Sequence, residues 1–148
     1  MTSTRPTPPP GAGDAYPGER LGLAPDGRGS LASWGSRIGA VLIDWGACMI
    51  TAIALFGTAV MTGGGWRSWM ILATFFVEST VLTLLAGGSF GQLICRIAVY
   101  RLDGKPLGLL RAGLRSALLC FVLPAVIIGI DRRGLHDMAA GTVVINRR

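Results

Sequence analysis

The chain has 148 residues, is 51% apolar and carries a formal net charge of +6. That length fits one domain. Three cysteines, one histidine and no CxxC pair indicate neither a disulfide framework nor a metal centre, so no metal and no cofactor is expected. The arginines flank apolar runs instead of forming one basic face, which argues against nucleic acid as a partner.

Residues 1–33 contain no hydrophobic run. The stretch "MTSTRPTPPPGAGDAYPGERLGLAPDGRGS" is rich in Pro and Gly with mixed charge. It lacks the basic start and early apolar stretch of a secretory signal. It cannot bury enough apolar surface to offset chain entropy, so a disordered tail is expected.

Three hydrophobic runs follow: Ile38–Met61, Trp66–Leu85 and Leu107–Ile130. Crossing the hydrocarbon core takes roughly 20 mostly apolar residues. The first two runs reach that length. The third does so only with Arg111 and Arg115 inside it, and Pro124 interrupts it. Residues 34–148 therefore read as an all-α integral membrane domain, a small bundle of three helices whose third is a full span or a kinked, re-entrant element. "TGGG" (Thr62–Gly65) is expected to be the tight turn between the first two. That turn holds no Lys or Arg, whereas Arg20, Arg28 and Arg37 precede the first helix and Arg96, Arg101 and Lys105 follow the second. The positive-inside rule then places the N-terminus in the cytoplasm and the chain as a multi-pass protein of the plasma membrane.

Two short segments have strand character, near 97–102 and 142–146; Asp103-Gly104 is a turn signal after the first. If the two pair, both lie on one membrane face, which favours re-entry of the third run.

Two carboxylates fall inside apolar runs. Asp44 lies seven residues after Arg37, and Glu78 seven residues before Leu85. At about 1.5 Å per residue both sit roughly 10 Å deep on antiparallel neighbours. An intramembrane charge is costly unless paired or neutralised. Arg111 and Arg115, an i, i+4 pair, are the nearest counter-ions in the sequence. Two readings stand: an ion or proton site carried by Asp44 and Glu78, or a structural clasp of acids and arginines, with Arg37 sharing the face of Asp44. His136-Asp137 has no recognisable serine or cysteine nucleophile signature to serve, so an enzyme is not expected.

Taken together, "SRIGAVLIDWG", "GGSFGQLICRIAVYRLDGKPLG", "LLRAGLRSALL" and "RRGLHDMAAGTVVI" resemble the RDD family of small bacterial membrane proteins, from about Ser33 to the end of the chain. The resemblance matches the family's arginine to Arg37 and its two aspartates to Asp44 and Asp137. The Pro-rich tail resembles actinobacterial members. One departure is Gly91-Gln92, where many members carry Gly-Lys. The family has no defined activity; the resemblance implies transport of a cation or another small ligand, in the manner of a sodium/proton antiporter. The alternative is a non-transporting scaffold or accessory subunit. Expected partners are the bilayer and a second copy or another membrane protein, because three helices offer no inverted repeat.

Overall fold

A computed structural model describes residues 16–62, 64–121 and 133–148. Helix α1 spans Trp34–Phe56, starting at Ser33, whose hydroxyl accepts from the Ser36 amide, and ending at Gly57 in a positive-φ conformation. A short α2 (Ala59–Thr62) and a 3-10 turn (Gly65–Ser68) lead into α3 (Trp69–Ala86). The first two runs thus form the two helices expected of them. The connection between them differs from expectation. It opens at Gly57, not at Thr62, and it carries Arg67, so it is longer than a tight turn and not free of positive charge. A glycine with φ of 80° ends α1 before the apolar run ends.

The two long helices are built inside out relative to a soluble bundle. Helix α1 buries Ala40, Asp44, Cys48 and Ala52, a stripe of small or polar residues four apart. Helix α3 buries Phe75, Ser79, Thr80 and Thr83. The large apolar side chains face outward: Leu42 is 68% exposed, Ile50 71% and Leu85 81%. Both helices are long and apolar enough to cross a bilayer. In water this outward surface would be unfavourable by about 25 cal/mol per Å²; against lipid tails it carries no such cost, and small residues on the inner stripe allow close helix contact.

After α3, Gly87 and Gly88 lead to α4 (Phe90–Ile94), then to β1 (Ile97–Arg101), α5 (Leu109–Cys120), α6 (Leu135–Ala140) and β2 (Thr142–Asn146). The two strands pair antiparallel, from Ile97 opposite Asn146 to Arg101 opposite Thr142, forming the ribbon that the sequence offered. The described helix of the third run, α5, has 12 residues, about 18 Å at 1.5 Å each and short of a hydrocarbon core of about 30 Å. Pro124 and the rest of that run, 122–130, lie outside the described residues. The described residues thus contain two helices of spanning length, not three.

The expected disordered tail needs a correction from Tyr16 onward; residues 1–15 lie outside the described part. Residues 29–32 run along the free edge of β2. The Gly29 amide donates to the Asn146 carbonyl at 2.9 Å, the Asn146 amide to the Ser30 carbonyl at 2.9 Å, and the Ala32 amide to the Val144 carbonyl at 3.0 Å. Ala32, Ala40, Ile97 and Val144 form one buried cluster. A polar, glycine-rich segment is held here because it satisfies the backbone groups of an edge strand, which composition does not report. The ribbon also ties to the end of α3: the Val99 amide donates to Gly87 at 2.8 Å, and Arg147 donates to the Ala86 carbonyl.

Candidate functional site

Asp44 and Glu78 converge on one turn of chain. The Asp44 carboxylate accepts from the Ser89 hydroxyl at 2.6 Å and from the Gly91 amide at 2.5 Å. Glu78 accepts from the Phe90 amide at 2.9 Å, and its other oxygen lies 3.9 Å from the Cys48 sulfur. The first amides of a helix have no partner within it, and a carboxylate is their strongest acceptor. Gln92 reaches back to the Ser89 amide at 3.1 Å, the Ser-x-x-Gln reciprocity of a capping box. Two long helices thus grip the start of α4 through their acids. Gly91 makes the grip close, since a Cβ there would overlap the Ala40 carbonyl.

Arg115 does not serve Asp44 as its ion-pair partner, contrary to expectation. Its Nε donates to Asp137 at 2.9 Å. Arg111 is not Asp44's partner either: it lies exposed and donates to the Ala140 carbonyl at 3.1 Å, capping the last turn of α6. The physical reason is that α6 packs on α5 and brings its own carboxylate to Arg115, while each Asp44 oxygen already accepts from a neutral donor.

Asp137 is the centre of the second cluster and is completely buried. Besides Arg115 it meets Arg37 at 3.8 Å, the His136 ring at 3.4 Å and the Thr142 hydroxyl at 3.3 Å. Burial by itself would raise its pKa; the guanidinium of Arg115, with His136 and Arg37, outweighs burial and holds the carboxyl below the usual range. Arg37 also donates to the Ala32 and Val144 carbonyls at 3.2 and 3.3 Å, linking the start of α1 to β2. Arg133 donates to the Thr142 carbonyl at 3.0 Å through Nε and to the Asp137 carbonyl at 3.2 Å.

Both clusters border a cleft of about 450 Å³. Its surface is mainly apolar, from Trp34, Ile38, Val41, Leu42 and Leu119; Arg37, Asp44, Ser89, Arg115, His136 and Asp137 border it but are mostly buried behind that surface. Glu78 and Arg111 are not among its lining residues. Among the described residues no group of three or more His, Cys, Asp or Glu could hold a metal ion.

The sequence profile of the RDD family matches residues 31–141. The chain belongs to the RDD family. With its two apolar helices it is a membrane protein of that family. No curated protein and no solved structure matches it. Of the three residues expected as the RDD signature, Arg37 and Asp137 meet directly, and Asp44 lies on the same cleft but bonds to α4.

Sequence reasoning about this RDD protein missed Ser89, Gly91 and Arg133. "SFGQ" carries a readable capping signal. Nothing local marks Gly91 as the point where α1 and α4 touch. Arg133 lies in the "RRGLHD" stretch, where nothing local marks its bonds to Thr142 and Asp137.

Proposed function

We propose that this RDD-family membrane protein binds a small ligand in the cleft walled by Arg37, Arg115 and Asp137, and that Asp44 and Glu78 are the clasp that builds the cleft, not an ion-carrying pair. The observation that carries this reading is the distribution of hydrogen bonds. Both oxygens of Asp44 already accept from Ser89 and Gly91. By contrast Arg115 Nη1, in a residue that borders the cleft, has no hydrogen-bond partner among the described residues, and Asp137 Oδ2 has only the charged contacts of His136 Nε2 at 3.4 Å and Arg37 Nη1 at 3.8 Å. Buried polar atoms are nearly always satisfied, and an exception is a pointer to function. The transport implied by the family resemblance then concerns the cleft ligand. Two long helices offer no inverted pair of halves, so translocation would require a second copy.

The test is purified protein in proteoliposomes carrying a pH-sensitive dye, challenged with sodium or potassium gradients. No cation-coupled proton flux is expected, and Asp44→Asn is expected to lower thermal stability. Coupled flux that disappears in a folded Asp44→Asn variant would return the acids to the role of carriers.

A further inference from the structure

Helix α5 is built inside out, like the two long helices. It buries Ala112, Arg115 and Ser116 and turns Leu110, Leu114 and Phe121 outward, at 86%, 43% and 73% exposed. Those three follow the i, i+4, i+11 spacing of one helix face. A large apolar stripe outside and a guanidinium inside suit a helix whose outer medium is hydrocarbon.

Two exposed cations, Lys105 and Arg111, stand at the start of that stripe. The fold brings their segments together. Arg111 donates to the Ala140 carbonyl at 3.1 Å, and the Leu102 amide donates to the next carbonyl, that of Gly141, at 3.4 Å. The first turn of α5 therefore lies beside the turn that leaves β1. That turn folds back on itself, because Arg101 donates to the Pro106 carbonyl at 2.9 Å, and Lys105 lies within it. Its one carboxylate is already taken: Arg101 reaches both oxygens of Asp103 through Nε and Nη2. The hydrogen bond from Arg101 is the main cause that holds the Asp103 carboxyl below its usual range, and the charge of Arg111 is the smallest. Among the described residues no carboxylate forms an ion pair with Lys105 or Arg111. Asp131 and Arg132, further along the chain, have opposite signs and add no net charge.

Independently of the cleft, we propose that Lys105 and Arg111 bind the phosphate of an anionic phospholipid whose acyl chains lie along Leu110, Leu114 and Phe121. Arg111 spends one N–H on Ala140 and keeps others to donate, and an ammonium and a guanidinium at the edge of hydrocarbon attract negative headgroups. The apolar stripe distinguishes a lipid from free phosphate. The two cations distinguish an anionic lipid from a zwitterionic one, whose own ammonium offsets its phosphate.

The full chain carrying Leu114→Trp, with Trp34, Trp45, Trp66 and Trp69 changed to Phe, has one tryptophan, placed on the stripe. In phosphatidylcholine nanodiscs, its quenching by brominated phosphatidylglycerol and by brominated phosphatidylcholine gives their relative affinities. Phosphatidylglycerol is expected to be preferred by about fivefold for each cation, the attraction of one surface Lys or Arg for an anionic headgroup. Lys105 joins the turn through its backbone amide, so Lys105→Gln leaves the turn's hydrogen bonds intact and should lower the preference about fivefold. Adding Arg111→Gln should abolish it. The Lys105 variant keeps the test sound if Arg111→Gln, which loses the cap on α6, fails to fold. Arg67→Gln, at the opposite end of α3, should leave the preference unchanged. Glycerol 3-phosphate in solution should not relieve the quenching; if it does, the site takes a free phosphate and the lipid is overturned. Equal quenching by the two lipids, or a preference that Lys105→Gln and Arg67→Gln lower alike, would overturn the proposal.

Discussion

Ser89 donates to Asp44 at 2.6 Å across 45 residues of sequence, fastening the start of α4 to the middle of α1. The aspartate that looks out of place in an apolar helix is therefore the anchor of a short helix that follows the second span. A double-mutant cycle tests the fastening. Asp44→Ala and Ser89→Ala are expected to couple by about 1–3 kcal/mol in unfolding experiments in mixed micelles, because either change strands the other's buried group. Strictly additive effects would show that the bond contributes nothing.

Gly91→Ala should be far more damaging than its single added methyl suggests. The new Cβ would overlap the Ala40 backbone, which cannot move without displacing α1. Gly113→Ala in α5 is the control, with nothing within 4 Å of the added carbon, and should be neutral or stabilising by up to about 1 kcal/mol. Thermal melts followed by size-exclusion recovery compare the two. Equal melting temperatures would contradict the close approach of α4 to α1.

Asp137 sets an acid limit on stability. Its folded pKa lies below the ordinary carboxylate value, so its contribution is complete above the unfolded pKa of about 3.9 and is lost as pH falls through the lower folded value. Stability should accordingly show no Asp137-dependent loss between pH 8 and about pH 5. Asp137→Asn leaves Arg115 charged and buried without its carboxylate, at a cost of about 3–5 kcal/mol near neutral pH. The difference between wild type and variant should shrink only at the most acidic pH. A difference that vanishes already near pH 6 would mean that Asp137 is not held ionised by Arg115.

The ribbon makes a prediction about sidedness. Arg101 pairs with Thr142, so the chain that leaves the first strand returns to the same side for the second. Asp103→Cys and Arg148→Cys, in a background without native cysteines, should label alike with an impermeant reagent in intact cells. Gly64→Cys, in the connection between the two long helices, should label oppositely. Opposite labelling of positions 103 and 148 would rule out the strand pair and restore a single third crossing.

Helices α1 and α3 were legible because uninterrupted apolar length is a local property, and so were the two β-branched stretches that form the ribbon. The RDD resemblance was legible in the same way, as short runs of residues in order. Other features were readable in principle, such as the "SFGQ" cap. The early end of α1 at Gly57 was not, because the same apolar residues fill a helix or the short turns beyond it.

The sequence by itself determined that this is a membrane protein with two long apolar helices, and that charged residues sit where lipid would reject them unless paired. It could not determine the pairs. Asp44 had two arginines within plausible reach and took neither, and Asp137, distant in sequence, became the partner of Arg115. Coulomb attraction between buried groups falls with distance and ignores sequence order. The choice was made by which helices pack: α4 against α1, and α6 against α5. Only that packing supplied neutral donors to Asp44 and a carboxylate to Arg115. It also held Gly29–Ala32 to the fold, because the edge of β2 exists only after two distant segments have met.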